Sequence, residues 1–255
     1  MNRYPDAQTT FAPLLRRSFR LHYLTLKHTI FFILAIAIIK TITSFLMVYM
    51  REPYLIDVIA IAGVLIALYF FSAALFSTHR AFTDKAVSVM DALRTVWKNG
   101  LRIYSALLGY IVGAVATIIL MRLLVSGIDR LLHQEIILHN FLILMMIAVS
   151  TLYIAIFSLS FPLIVIDSNQ SIFKVFHDSV VLSEKNKFGI ALLFFLMGMI
   201  YTLVSPATLQ EYFLTVYHLQ GLYDFVVFCV FIPLFINILL MVVHDSKLKS
   251  VGEMD

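Results

Sequence analysis

Few residues in this chain are of types and spacings that do chemistry. Lys40 stands inside the apolar run "AIAIIKTITSF". A charge at membrane depth is costly and by default marks an ion or substrate pathway. An ammonium there can bind an anion or, if burial lowers its pKa, exchange a proton. It can equally be a structural charge paired with Asp57 or Asn237, or one that bends toward the interface. Asn237 follows Pro233 in "CVFIPLFINILL". That combination can open a helix around a substrate, or supply a tolerated kink and an interhelical hydrogen bond. Asp57 comes a few residues after "REP" and reads as an interface residue rather than a proton carrier.

Catalytic patterns fare worse. His133 and His139 in "HQEIILHN" flank Glu135, but a zinc protease needs two histidines at i and i+4 on one helical face. There is no GxSxG elbow, no phosphate-cradling Walker loop and no pair of intramembrane carboxylates. No catalytic, metal or cofactor site is expected, and the reading is of a protein that is not an enzyme.

The elements that must position these residues follow from composition. Of 255 residues, 61% are hydrophobic and 13% charged, against about 25% charged in soluble domains. Long apolar runs recur along the chain, so the expectation is an all-α polytopic membrane protein forming a single membrane domain over 1–255. Six runs are long enough to cross a bilayer: 29–49, 55–77, 103–125, 141–166, 188–205 and 222–243. They are continuous rather than alternating, which argues against a β-barrel. Cys229 is the single cysteine and lies in the last run, so no internal disulfide is possible. The first twenty residues lack the apolar core and cleavage site of a signal peptide. Gly109 and Gly113 in "GYIVG" form a GxxxG pair, whose physical meaning is close approach of helix backbones.

Charge sets the expected orientation. Fifteen of the nineteen Lys and Arg residues fall in the N-terminal segment, the second and fourth connections and the tail. By the positive-inside rule both termini are cytoplasmic. The net charge of +4 then reflects membrane topology rather than nucleic-acid binding.

Three segments are too polar to span and too apolar for water: about 11–27, 84–99 and 168–185. At the helical increment, Ile172, Phe173, Val175, Phe176, Val180 and Leu182 share one side of the third, opposite Lys174, His177 and Asp178, with Ser168 or Asp167 as the N-cap. In the second, Ala86, Val89, Met90, Leu93, Val96 and Trp97 oppose Asp84, Asp91, Arg94 and Lys98. In the first, Phe11, Leu15 and Phe19 oppose Arg16, Arg20 and Lys27. This is the pattern of amphipathic helices lying in a membrane interface. Each precedes an odd-numbered span, suggesting a three-fold repeat of interfacial helix plus span pair. Ser88 and Ser171 open the second and third copies; Lys98–Asn99 and Lys185–Asn186 close them.

The stretch "SLSFPLIVIDSNQSIFKVFHDSVVLSEKNKFGIALLFFLMG" resembles the signature region of the YciC-type uncharacterised bacterial inner-membrane proteins. It is more distantly similar to the membrane domain attached to some glycerophosphodiester phosphodiesterases. Pro162, Asp167, Ser171, Ser179 and Lys185 carry the pattern. The resemblance implies a six-helix protein of the bacterial inner membrane with no established activity. The phosphodiesterase chemistry of the fused relatives resides in a soluble domain that no segment here provides. Two functions follow as expectations. One is a non-enzymatic membrane protein whose interfacial helices organise lipid, a membrane partner or a second copy. The other is a small transporter or permease component using Lys40 and Asn237.

Overall fold

The computed structural model of the chain describes residues 11–50, 52–83, 85, 87–132, 170–184 and 217–252, with 149, 152, 153, 156, 157 and 159–167. Every described element is an α-helix: α1 (Phe11–Arg20), α2 (His22–Tyr49), α3 (Pro53–Phe82), α4 (Val89–Lys98), α5 (Gly100–Leu132), α6 (Ser160–Ile166), α7 (Ile172–Glu184) and α8 (Tyr217–Gly252). Among the described residues four stretches are long and apolar enough to cross a membrane: His22–Met47, Tyr54–Phe82, Gly100–Met121 and Leu222–Asp245. These correspond to the first, second, third and sixth expected spans. The run 188–205, and all of 141–166 except its last turns and a few single positions, lie outside the described residues. So do the side chains of His133, Glu135 and His139.

The chain divides into two compact units, Met1–Gly100 with Gly198–Asp255, and Leu101–Met197. In the first unit α2 and α3 form a hairpin through Glu52, with Pro53 opening α3 where its missing N–H costs nothing. Gly63 permits the close approach, since a Cβ there would run into the side chain of Thr43 on α2. α8 packs on α2, with Phe235 reaching Phe71 of α3 at 6.0 Å between ring centroids. The core lies where the three meet, around Phe32, Ile33, Leu75, Ile236 and Leu240. Burial continues through Ser72–Thr78 on α3 and Ile236–Val243 on α8. Pro233 removes one ladder hydrogen bond, yet α8 continues past it to Gly252.

The first amphipathic segment behaves differently from expectation. α1 passes into α2 through Leu21, whose backbone stays helical and bonds in both directions, to the Arg17 carbonyl and from the Thr25 amide, each at 3.0 Å. α1 and the first turns of α2 then run along α8: Arg17 pairs with Asp245 and Thr25 with Asn237, eight residues apart on each side. Ser18 is fully buried while Phe19 is exposed, so the face that packs is set by the Arg17–Asp245 pair rather than by the aromatic. Phe11–Arg20 is thus a helix of its own, shorter than the expected 11–27, and it joins the first span through Leu21.

The other two amphipathic segments are separate helices, both shorter than expected. α4 starts at Val89 because Ser88, extended at ψ 156°, turns its hydroxyl oxygen to the Asp91 amide at 3.1 Å. α7 starts at Ile172 because Ser171 accepts from the Lys174 amide at 3.3 Å. The cap is therefore Ser171 and not Ser168 or Asp167; Asp167 closes α6, its amide bonding the Leu163 carbonyl.

In the second unit α6 packs against α7, and aromatic rings link α7 to α5. Phe176 on α7 meets Phe157 at 5.8 Å, Phe157 meets Tyr153 at 4.7 Å, and Tyr153 meets Tyr110 of α5 at 5.8 Å.

Candidate functional site

Lys40, Asp57 and Asn237 do not form one polar site. The Lys40 ammonium lies 2.7 Å from Asp224 of α8 and 5.3 Å from the centre of the Phe228 ring. Asp224 is the buried member, with 3% of its side chain exposed against 33% for Lys40. A buried carboxylate is tolerable only when paired, and the ammonium also gains from the ring face. α2 begins seven residues before position 29, so Lys40 sits in its C-terminal part rather than at mid-span. That brings it level with the start of the Leu222–Asp245 span, where Asp224 stands.

Asn237 serves a second, separate cluster. Its Oδ1 accepts from the Thr25 hydroxyl at 2.5 Å, and its Nδ2 donates to the Ser18 carbonyl at 3.0 Å. Thr25 and Asn237 are both fully buried. About 20 Å of helix separates this cluster from Lys40–Asp224. Asp57 is exposed in the first turns of α3 and pairs with neither. Asp224 is the residue sequence reasoning passed over. Its one signal was an acid inside the apolar stretch "LYDFVVFC" of a helix that could run antiparallel to α2.

The glycine pair admits rings rather than another backbone. A Cβ on Gly109 would meet the Phe176 ring at 3.4 Å; one on Gly113 would collide with the Tyr153 hydroxyl. That hydroxyl donates to the Tyr110 carbonyl at 3.1 Å. The GxxxG pair thus seats the aromatic series that anchors α7.

On α4 and α7 the apolar side splits in two. Ala92 and Val96 are the buried residues of α4, and the Tyr69 hydroxyl of α3 clamps the helix by donating to the Leu93 carbonyl at 2.9 Å. Trp97, assigned to the same face by sequence, is 76% exposed and meets the edge of the Tyr69 ring at 6.1 Å. Met90 is exposed with it. On α7, Val175, Ser179 and Ser183 are buried and Phe176 is half-buried, whereas Phe173, 88% exposed, and Val180 and Val181 point away. Ile172 is half-buried. The buried hydroxyl of Ser179 donates to the Ile156 carbonyl at 2.6 Å, and that of Ser183 to Val180.

The two helices match position by position at a spacing of 83 residues. The caps Ser88 and Ser171 correspond, as do the buried pairs Ala92/Val175 and Val96/Ser179 and the exposed pairs Met90/Phe173, Arg94/His177 and Trp97/Val180. The same spacing relates Ser77 to Ser160, both buried, and Asp84 to Asp167 in sequence. Around each helix the buried face is followed by an exposed apolar face and then a charged one, in the same rotational sense.

The residues that carry the family resemblance have structural employment. Pro162 is buried in the first turn of α6, Asp167 ends α6, Ser171 caps α7 and Ser179 docks it; Lys185 lies outside the described residues. No group of His, Cys, Asp or Glu side chains suited to a metal occurs among the described residues. The chain is thus an all-helical protein with membrane-length apolar helices and two matched, externally apolar short helices. No family model, curated protein or solved structure matches it.

Proposed function

We propose that the chain is a non-enzymatic, multi-pass protein of the bacterial inner membrane, with both termini cytoplasmic, and that α4 and α7 lie in the cytoplasmic interface to organise lipid. The single observation that carries this reading is the shared three-faced pattern of the two helices. A helix that only plugs a soluble core needs a buried face and a wet face. A helix at a bilayer edge needs a third, apolar face turned away from the protein and toward acyl chains. Met90 and Trp97 on α4, and Phe173 and Val180 on α7, supply it. The likeness to the YciC-type proteins and the distribution of Lys and Arg support the same placement. The polar residues at depth support it too, since Lys40 and Asn237 are each satisfied within the helix bundle.

Trp97 is the single tryptophan of the chain, which makes the test direct. In liposomes, its emission is expected to be blue-shifted and quenched by lipids brominated near the headgroup end of the acyl chain. Red-shifted emission, open to aqueous acrylamide and indifferent to brominated lipid, would sink the reading.

A further inference from the structure

The matched pair differs at one place, and the difference has a chemical meaning. Met90, Arg94, Trp97 and Lys98 follow i, i+4, i+7 and i+8 and so form one contiguous stripe on the outside of α4. All four are exposed, and neither Arg94 nor Lys98 makes an ion pair with a described residue. The corresponding stripe on α7 is Phe173, His177, Val180 and Val181, in which the two cations are replaced by a histidine and a valine. Asp91 neighbours the α4 stripe, but it is turned to the helix N-terminus, where its carboxylate accepts from the Ser88 hydroxyl at 2.7 Å. Lys85, also exposed, adds a third cation just ahead of the helix.

We propose that the outer stripe of α4 is a binding site for the headgroup of an anionic phospholipid, and that the equivalent stripe of α7 contacts acyl chains without headgroup selection. The inference rests on the interfacial reading above and adds the lipid class. Two cations one helical turn apart suit a phosphate-bearing headgroup. A soluble anion would use only them. A ligand that also engages the adjoining Trp97 and Met90 must carry an apolar tail, and a phospholipid has both parts in the right order. Trp97 suits the boundary, with its ring among the first methylenes and its N–H at the headgroup level.

The test uses the full chain in phosphatidylcholine bilayers that contain a fixed minor fraction of phosphatidylglycerol, with bromine placed on one lipid at a time. Brominated phosphatidylglycerol is expected to quench Trp97 beyond its bulk share. Each cation removed should reduce the local enrichment about fivefold, so R94Q/K98Q should abolish it. The charge-preserving pair R94K/K98R and the α7 control K174Q should retain it. Raised salt should weaken the preference, whereas inorganic phosphate at matched ionic strength should do no more than chloride. Proportionate quenching by both lipids in the wild type, or a preference that survives R94Q/K98Q, overturns the anionic site and leaves the interfacial reading intact. Competition by inorganic phosphate beyond that of chloride overturns the lipid as ligand. Absence of quenching by either lipid removes the interfacial reading itself.

Discussion

The ammonium of Lys40 on α2 and the carboxylate of Asp224 on α8 stand 2.7 Å apart, joining residues 184 positions distant in the chain. The acid is the one sealed from its surroundings, so the pair is asymmetric: removing the lysine strands a buried charge, whereas removing the acid strands a partly exposed one. K40M should therefore destabilise the protein more than D224L. Partial exposure of Lys40 limits the cost of D224L to about 1–3 kcal/mol. The double variant K40M/D224L should recover most of the loss, because a well-packed apolar pair replaces the ions. Unfolding in mixed micelles checks the cycle. Failure of the double variant to recover would mean that the pair contributes more than charge balance at this position.

Asn237 uses its carbonyl for Thr25 and its amide for Ser18. N237D keeps the acceptor and replaces the donor by an oxygen facing the Ser18 carbonyl. It should be less stable than N237A, by about 1–3 kcal/mol for the unsatisfied buried acceptor. Unfolding free energies of the two variants, measured at neutral pH, decide the order. Equal stability would mean that the introduced aspartate carries a proton and donates it to the Ser18 carbonyl.

Gly113 and Gly109 should respond oppositely to alanine. At Gly109 the added carbon reaches ordinary contact with Phe176, and the gain in helix propensity of up to about 1 kcal/mol makes G109A neutral or stabilising. At Gly113 it occupies the place of the Tyr153 hydroxyl, so G113A should cost about 1–3 kcal/mol through overpacking. G113A/Y153F should regain part of that loss because the colliding atom is gone. Thermal unfolding of the three variants against the wild type provides the comparison.

Ser88 and Ser171 cap α4 and α7 through the amide three residues on. S88A and S171A should each cost about 1 kcal/mol, felt locally as faster amide exchange in the capped helix. The effect of S88A should be confined to α4 and that of S171A to α7. Exchange that quickens across the whole molecule would argue that the caps matter to global folding.

Sequence reasoning reached the helices and several of their ends because those depend on local chemistry. Apolar runs of membrane length and the serine ahead of α4 act over a few residues, whereas α7 is capped by Ser171 and not by the expected Ser168 or Asp167. The faces of α4 and α7 were half legible. Periodicity separates apolar from charged sides, but an apolar side chain packed on protein and one turned outward have the same hydropathy. Trp97 and Val96 were therefore grouped together although only Val96 is buried.

By itself, then, the sequence determined an all-helical chain, the four membrane-length apolar helices among the described residues and the short helices between them, since the continuity of apolar runs and capping are short-range effects. Only the tertiary structure decided that α1 runs on along α8, that Lys40 takes Asp224 rather than Asp57 or Asn237, and that Gly109 and Gly113 seat aromatic rings. Those choices depend on which helices become neighbours and at what register. That is set by the summed packing of whole helix surfaces, a quantity no local stretch of residues contains.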